Sequence, residues 1–269
     1  MASCAQKRKH VEIIPKAKDV REGGWCKPPQ NVVEKIGDER TWFIGVDIET
    51  HDWTISRGNK GNIGQFGFYN LCVPSDLEAR ICSIGWSFGP PDTEATVKEL
   101  LIRPEGFQIS DKATNYHKIS HQHATDNGRP LKDVLNDFMD DLRYVVDVQK
   151  GKLVCHHIEF DSGIIANELV RCQMMDALDQ FRAIVRSGLC TMDPSVTRWL
   201  MRCHGEDTGS STTMNVLSLK KMVQLLLPEE QKLLEKHHSA GTDSLMVLKL
   251  AYKLSGAAKG TAKDSGSQS

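Results

Sequence analysis

No stretch of this 269-residue chain approaches the roughly 18–20 continuous apolar residues that a membrane-spanning helix needs. No membrane role is therefore expected. There is no Cys-x-x-Cys pair either: the eight cysteines stand singly at 4, 26, 72, 82, 155, 172, 190 and 203. That spacing disfavours a zinc ribbon or a thioredoxin-type redox site. The N-terminal charges Lys7, Arg8 and Lys9 have no apolar run behind them, so a secretory signal is not expected. The cysteines then read as reduced thiols in an intracellular protein, nuclear or cytoplasmic. A basic body is missing too. The net charge is −1, and the first 27 residues hold seven Lys or Arg against three acids, which leaves the remainder acidic. A protein that grips long duplex needs a broad basic face, so any nucleic-acid grip here should be local and short.

What is present is ordinary for a soluble globular chain, with 39% hydrophobic and 26% charged residues. That suffices for one large domain or two small ones. Residues 1–38 read as a basic, partly disordered N-terminal extension, in which the Lys7-Arg8-Lys9 run suits either a nuclear address or a solvated tail. Residues 39–254 read as the folded domain. Residues 255–269 are small and polar and read as a disordered C-terminal tail. Within the domain, apolar runs at 41–49, 79–88 and 96–102 predict three successive strands with short turns, an antiparallel meander. The span 131–146 has helical spacing, 152–155 is a short strand leading straight into a helix, 188–192 is another strand, and 217–227 and 245–254 are helices. The predicted fold class is α/β: a mixed five-stranded sheet, antiparallel strands then parallel ones, flanked by helices.

Three segments carry charge where the pattern asks for apolar residues. The run Trp42-Phe43-Ile44-Gly45-Val46-Asp47-Ile48-Glu49 predicts a central buried strand, yet Asp47 and Glu49 lie two apart and so on one face. They either end the strand at solvent or share a positive partner. From Asp161, positions +3, +4, +8 and +11 are Ile164, Ile165, Leu169 and Cys172, so Asp161 lies on the apolar stripe of a helix at its first turn. It either caps that helix or faces the core. From Asp243, positions +3, +4, +7 and +8 are Met246, Val247, Leu250 and Ala251. Thr242 or Ser239 can cap that helix instead. Jointly, three elements each place a carboxylate on a core-facing stripe at an end where it can meet the others. Converging carboxylates with no counter-charge are unfavourable, and divalent cations resolve the conflict. An all-oxygen set without cysteine suits Mg²⁺ or Mn²⁺ better than Zn²⁺.

In these residues the chain resembles the DEDDh 3′→5′ exonucleases, proofreading-exonuclease-like proteins of RNase H-like fold. The motifs are D-x-E at Asp47-Ile48-Glu49, a strand, a His and then F-D at His156 to Phe160-Asp161, and H-x4-D from His238 to Asp243. Between them, His117-Lys118-Ile119, the Gly128-Arg129-Pro130-Leu131 run, Asp193-Pro194 and Leu217-Ser218-Leu219 also fit. The match covers roughly residues 40–254. There are departures. His157 stands where the family usually has Asn, Thr50 is followed by His51-Asp52-Trp53 rather than Thr-Gly, and a long stretch, 51–78, precedes the second strand.

The resemblance implies a metal-dependent exonuclease that releases nucleotides from the 3′ end of single-stranded RNA or DNA by two-metal-ion hydrolysis. Asp47 would bridge two Mg²⁺ or Mn²⁺ ions. Glu49 and Asp243 would bind the ion carrying the nucleophilic water, and Asp161 the other. His238 would take the proton; His237 gives H-x5-D and fits less well. Glu49 and the main chain at Thr50 would meet the terminal sugar. In the Gly-rich stretch that follows, Trp53, Phe66, Phe68 and Tyr69 are candidates for base stacking, and Arg57 and Lys60 for phosphate contacts; a surface insertion without substrate contact is the other reading. A catalytically inactive nucleic-acid-binding module of the same fold is the alternative function, and a scaffold subunit a further one. His117, His121 and His123 are read as part of a loop entering a helix rather than as zinc ligands.

Overall fold

A computed structural model describes residues 28–52, 79–203 and 217–263. The first strand, β1 (Phe43–Thr50), is mostly buried. It pairs antiparallel with β2 (Ile81–Gly89), which pairs antiparallel with β3 (Thr96–Leu101). On its other side β1 runs parallel to β4 (Lys152–Cys155), and β4 parallel to β5 (Leu189–Cys190). The sheet order is therefore β3-β2-β1-β4-β5. This is the mixed sheet, antiparallel then parallel, that the sequence predicts.

Period-two alternation along β1 sorts its side chains between two cores. Ile44, Val46 and Ile48 enter one, with Ile84 and Trp86 of β2. It is covered by α4 (Leu131–Arg143), α5 (Ile158–Arg171) and α6 (Met175–Arg186). Helix α4 shows why: Leu131, Val134, Leu135, Phe138, Met139 and Leu142 recur at three and four residues and are all buried. Each such side chain contributes roughly 1.5–3 kcal/mol by leaving water. Trp86 packs edge-on against Phe138 and donates its indole N–H to Asp141 at 2.7 Å.

Phe43 belongs to the opposite core. There α1 (Gln30–Ile36), α7 (Pro194–Cys203), α8 (Leu219–Leu226) and α9 (Ala240–Lys263) pack. Two short helices, α2 (Asp111–His117) and α3 (His121–Asn127), each begin at a serine whose hydroxyl accepts a backbone N–H, Ser110 from Ala113 and Ser120 from His123. The edges differ modestly from expectation. Helix α1 sits inside the span read as a partly disordered extension, and its Val32 and Ile36 are fully buried. Helix α9 starts earlier than predicted and continues past Leu254 to Lys263. Cys82, Cys155, Cys172 and Cys190 are free, but Cys203 is disulfide-bonded rather than the thiol expected; spacing along a chain carries no record of a pairing made across the fold. Among the described residues no helix is long and apolar enough to cross a membrane.

Helix α9 approaches the sheet at backbone distance. The face it covers alternates Gly45 on β1 with Ser83, Gly85 and Ser87 on β2, all small. A Cβ at Gly45 would strike the Ser244 carbonyl, and one at Gly85 the backbone of Ala240 and Gly241. Ser87 and Ser244 hydroxyls meet at 2.8 Å across the same contact. Gly85→Ala should therefore cost roughly 1–3 kcal/mol by overpacking. Gly256→Ala, on the same helix with open space around it, should be neutral or stabilise by up to about 1 kcal/mol. Urea denaturation of the two variants checks this, and equal effects would contradict the close approach.

Candidate active site

Asp47 and Glu49 project from β1 toward the α9 side of the sheet, because they share the face of Gly45. Asp243 lies in the first turn of α9, the part brought down onto Gly85. One carboxylate oxygen from each of Asp47, Glu49 and Asp243 lies within 4.8 Å of the others. Asp161 arrives by a third route. Strand β4 pairs Cys155 with Val46, so the chain leaves β4 beside the middle of β1 and turns at once into α5, with Asp161 in the first turn. Asp161 is outside that three-member group, yet its charge is the foremost one acting on Asp47. Glu49, Asp161 and Asp243 are only 7%, 4% and 4% exposed.

Neither helical acid is explained as a cap. The residue before α5 is His157, which makes no side-chain cap bond, and the Asp161 N–H donates to the His157 carbonyl at 3.1 Å as an ordinary helical residue. At α9 the Ser239 hydroxyl accepts the Thr242 N–H at 3.5 Å and the Ser239 carbonyl accepts the Asp243 N–H at 2.9 Å, so Ser239 holds that end. The electrostatics follow from crowding. Burial first, then the charges of Asp161, Asp243, Glu49 and Glu99, hold Asp47 well above the usual carboxylate range. Glu49 is pushed up to about 9 by burial and then by Asp243, Glu99 and Asp161. Burial lifts Asp161 to about 8. The donor set is hard oxygen, mutually repelling and shielded from water, which fits a divalent cation of the Mg²⁺ type.

His238 sits just before α9 with a left-handed backbone, φ +75°. Its backbone N–H points at the Asp243 carboxylate, 3.3–3.4 Å away. Its ring lies between Tyr116 and His237, with centroids 3.8 Å away on each side. Burial, then the neighbouring His237, hold its pKa below the ordinary histidine value. The ring stays neutral near pH 7 and retains a lone pair. His237 itself sets its Nδ1 3.0 Å from the Asp243 carboxylate.

Thr50 ends β1 beside Glu49, and its hydroxyl donates to the Asp52 carbonyl at 3.1 Å. The buried His117 accepts the Ile119 N–H at Nδ1, 3.0 Å, so its Nε2 carries the proton and donates to the Thr50 carbonyl at 3.2 Å. The Cys82 thiol donates to the Glu49 carbonyl at 3.2 Å. Both carbonyls at the end of β1 are thus held from behind. Among the described residues no three-donor group includes His117, His121 or His123. Trp53, Arg57 and Lys60, with Phe66, Phe68 and Tyr69, lie outside the described residues.

Three neighbours of the site went unnoticed or were set aside in the sequence. Glu99 on β3 is in register with Gly85, which is in register with Asp47, so Glu99 shares the face of Asp47. It accepts the Ser239 hydroxyl at 2.8 Å. Its only signal is strand register, which one sequence does not contain. Tyr116 directly precedes the His-x-Ile segment, a usable hint. In the sequence His237 offers only an alternative spacing, H-x5-D, for the role of His238.

No family model matches the chain, and its sequence matches no curated protein. Its fold is similar to solved structures. E. coli exonuclease I in complex with a dT13 oligonucleotide aligns with TM-score 0.53 at 13% identity, over 79% of this chain and 40% of that one. A second exonuclease I structure gives TM-score 0.52 at 13% identity, over 80% and 41%. The nuclease domain of 3′hExo, described as a DEDDh family member and bound to rAMP, gives 0.44 at 15% identity, over 81% and 94%. The chain spans about two fifths of the exonuclease I chains it matches. At such identity the likeness speaks for the fold alone, a mixed sheet with flanking helices arranged like that of exonuclease I.

Proposed function

We propose that this protein is a metal-dependent 3′→5′ exonuclease acting on the 3′ ends of single-stranded RNA or DNA. The observation that carries the reading is the meeting of Asp47, Glu49 and Asp243 oxygens within 4.8 Å, Glu49 and Asp243 buried and Asp47 half-buried, with no cation from the chain among the causes that shift Asp47 or Glu49. A structural carboxylate in this fold looks different. Glu168 is fully buried and is met by the Arg80 guanidinium at 2.7 Å and the Ile81 N–H at 3.1 Å.

Asp47, Glu49, Asp243 and Asp161 would hold two Mg²⁺ or Mn²⁺ ions. When bound, such ions stabilise the attacking and leaving oxygens of an in-line phosphoryl displacement. The chain's own part is to orient and to move a proton. His238, kept neutral, takes the proton from the attacking water. The water oxygen bonds to phosphorus as the bond to the penultimate 3′ oxygen breaks, and the terminal nucleotide departs. Tyr116 and His237 hold the His238 ring from both sides. The terminal sugar is assigned to Glu49 and the main chain of Thr50, whose carbonyl is fixed by His117. Trp53, Arg57 and Lys60 are proposed to bind the preceding nucleotides. The oligonucleotide in the exonuclease I complex supports a single-stranded substrate.

The test is a product ladder from 3′- and 5′-labelled single strands of RNA and DNA, with and without Mg²⁺. Stepwise loss from the 3′ end that requires the metal is expected; no release from any strand would favour the inactive binding module. His238→Ala should lower the rate about 10²–10⁴-fold, and Asp47→Asn should abolish it. Asp47→Asn should at the same time keep or raise the metal-free Tm, because it removes one repelling charge.

The same repulsion sets a pH dependence. Glu49 and Asp161 have folded pKa values raised above their unfolded ones. Between the ordinary carboxylate range and about 8–9 the folded state therefore binds more protons than the unfolded state, and stability falls as pH rises. The metal-free Tm should be higher near pH 5 than near pH 9, and saturating Mg²⁺ should reverse most of the loss. Glu49→Gln should flatten the slope. A metal-free Tm that is level or climbs across that window would contradict the charge cluster.

A further inference from the structure

His237, His238 and Asp243 form a second donor group, one atom from each lying within 4.8 Å of the other two. It differs in kind from the carboxylate group, since it offers two imidazole nitrogens and one oxygen. Such sets favour Zn²⁺ and similar d-block dications over Mg²⁺. The dimensions suit. Zinc with ligands at ~2.0–2.2 Å in a tetrahedron separates its donors by roughly 3.4 Å, and His237 Nδ1 already stands 3.0 Å from the Asp243 carboxylate. The two rings are stacked, 3.8 Å between centroids and 29° between planes, and one nitrogen of each lies within 4.8 Å of the other and of an Asp243 oxygen.

The group is also held in place. Ser239 fixes the start of α9 through the Asp243 N–H, Glu99 grips the Ser239 hydroxyl, and the left-handed backbone at His238 turns its ring back over His237. Asp243 belongs to both donor groups. A cation on the histidine side draws that carboxylate away from Asp47 and Glu49 and occupies the imidazole lone pair of His238.

We propose that His237, His238 and Asp243 constitute a nitrogen-rich site for Zn²⁺, and that its occupation switches off the adjoining nuclease centre. The switching rests on the function proposed above; the binding does not.

Zn²⁺ titrated calorimetrically into the full chain, in excess Mg²⁺, tests the site. His237→Asn is the informative variant, because its amide N–H still donates to Asp243 while the side chain is a poor zinc ligand. Zinc affinity should fall about tenfold or more, and the Zn²⁺ concentration that halves Mg²⁺-supported release, measured against each protein's own zinc-free rate, should rise by the same factor. A change below about threefold in affinity overturns the site, and an affinity loss with no shift in inhibition overturns the switch. If the variant does not fold, Co²⁺ added to the native chain decides: intense visible bands of a four-coordinate site support the trio, and only weak octahedral-type bands overturn it. A chain that releases no nucleotide without zinc defeats the nuclease reading, while the titration still decides the zinc site.

Discussion

Helix α9 touches the sheet backbone to backbone, and most of what is distinctive in this molecule depends on that contact. A helix packed on a sheet through ordinary side chains stands about 10 Å off it. Here Gly45 and Gly85 remove the intervening side chains, and Ser87 meets Ser244 in the gap. The first turn of α9 therefore reaches the level of Asp47 and Glu49, and Asp243 enters their space. The edge strand helps to hold that end, since Glu99 grips Ser239 just before the helix. The contact that brings α9 onto the sheet is also the one that brings Asp243 to Asp47 and Glu49.

That contact has a cost. Two carboxylates on β1 and one on α9 share a dry volume, with a fourth on α5 close enough to act on Asp47. The rest of the structure must carry the deficit, and its two cores are placed to do so, with Trp86, Phe138 and Phe181 on one side of β1 and Phe43, Trp199 and Leu200 on the other. Glu168 shows that the fold can bury a carboxylate against cations of its own, Arg80 at 2.7 Å and Arg171 at 3.5 Å, when its purpose is to fasten α5 to the start of β2. The causes that shift Glu49 include no such cation, as the proposed metal site requires.

Sequence periodicity made much of this legible. A strand as apolar as 43–48 had to be central, and two acids two residues apart had to share a face. The helical stripes through Asp161 and Asp243 put those acids on core-facing faces, although at a first turn Asp161 alone reads equally as a cap. The mixed sheet, antiparallel strands then parallel ones, agrees with that reasoning, and one oxygen each of Asp47, Glu49 and Asp243 lies within 4.8 Å of the others. Other features could not be read, each for a physical reason. Glu99 is beside Asp47 only through strand register, which depends on pairings between distant segments. That Asp161 stays outside the three-acid group is set by the placement of α5 in three dimensions, which periodicity does not record. Helix α9 runs on past Leu254 because nothing between Ser255 and Lys263 forbids it: the glycines there weaken a helix by about 1 kcal/mol each but do not break it as proline would.

The pair of adjacent histidines shows where spacing stops and geometry takes over. H-x4-D against H-x5-D offers a choice of one residue for one role. In three dimensions the residues divide the work. His237 holds Asp243 through its ring, while His238 reaches the same carboxylate only through its backbone N–H, leaving its ring to other uses. Neighbouring side chains in an extended segment would point apart. The left-handed φ of +75° at His238 brings its ring back against His237 and under Tyr116. A non-glycine residue in that region carries strain, and here the fold holds it from both sides, by the Asp243 carboxylate and by Ser239 tied to Glu99. The strained residue is thus the one whose ring makes no hydrogen bond to Asp243, an arrangement that suits the proton-accepting role proposed for it.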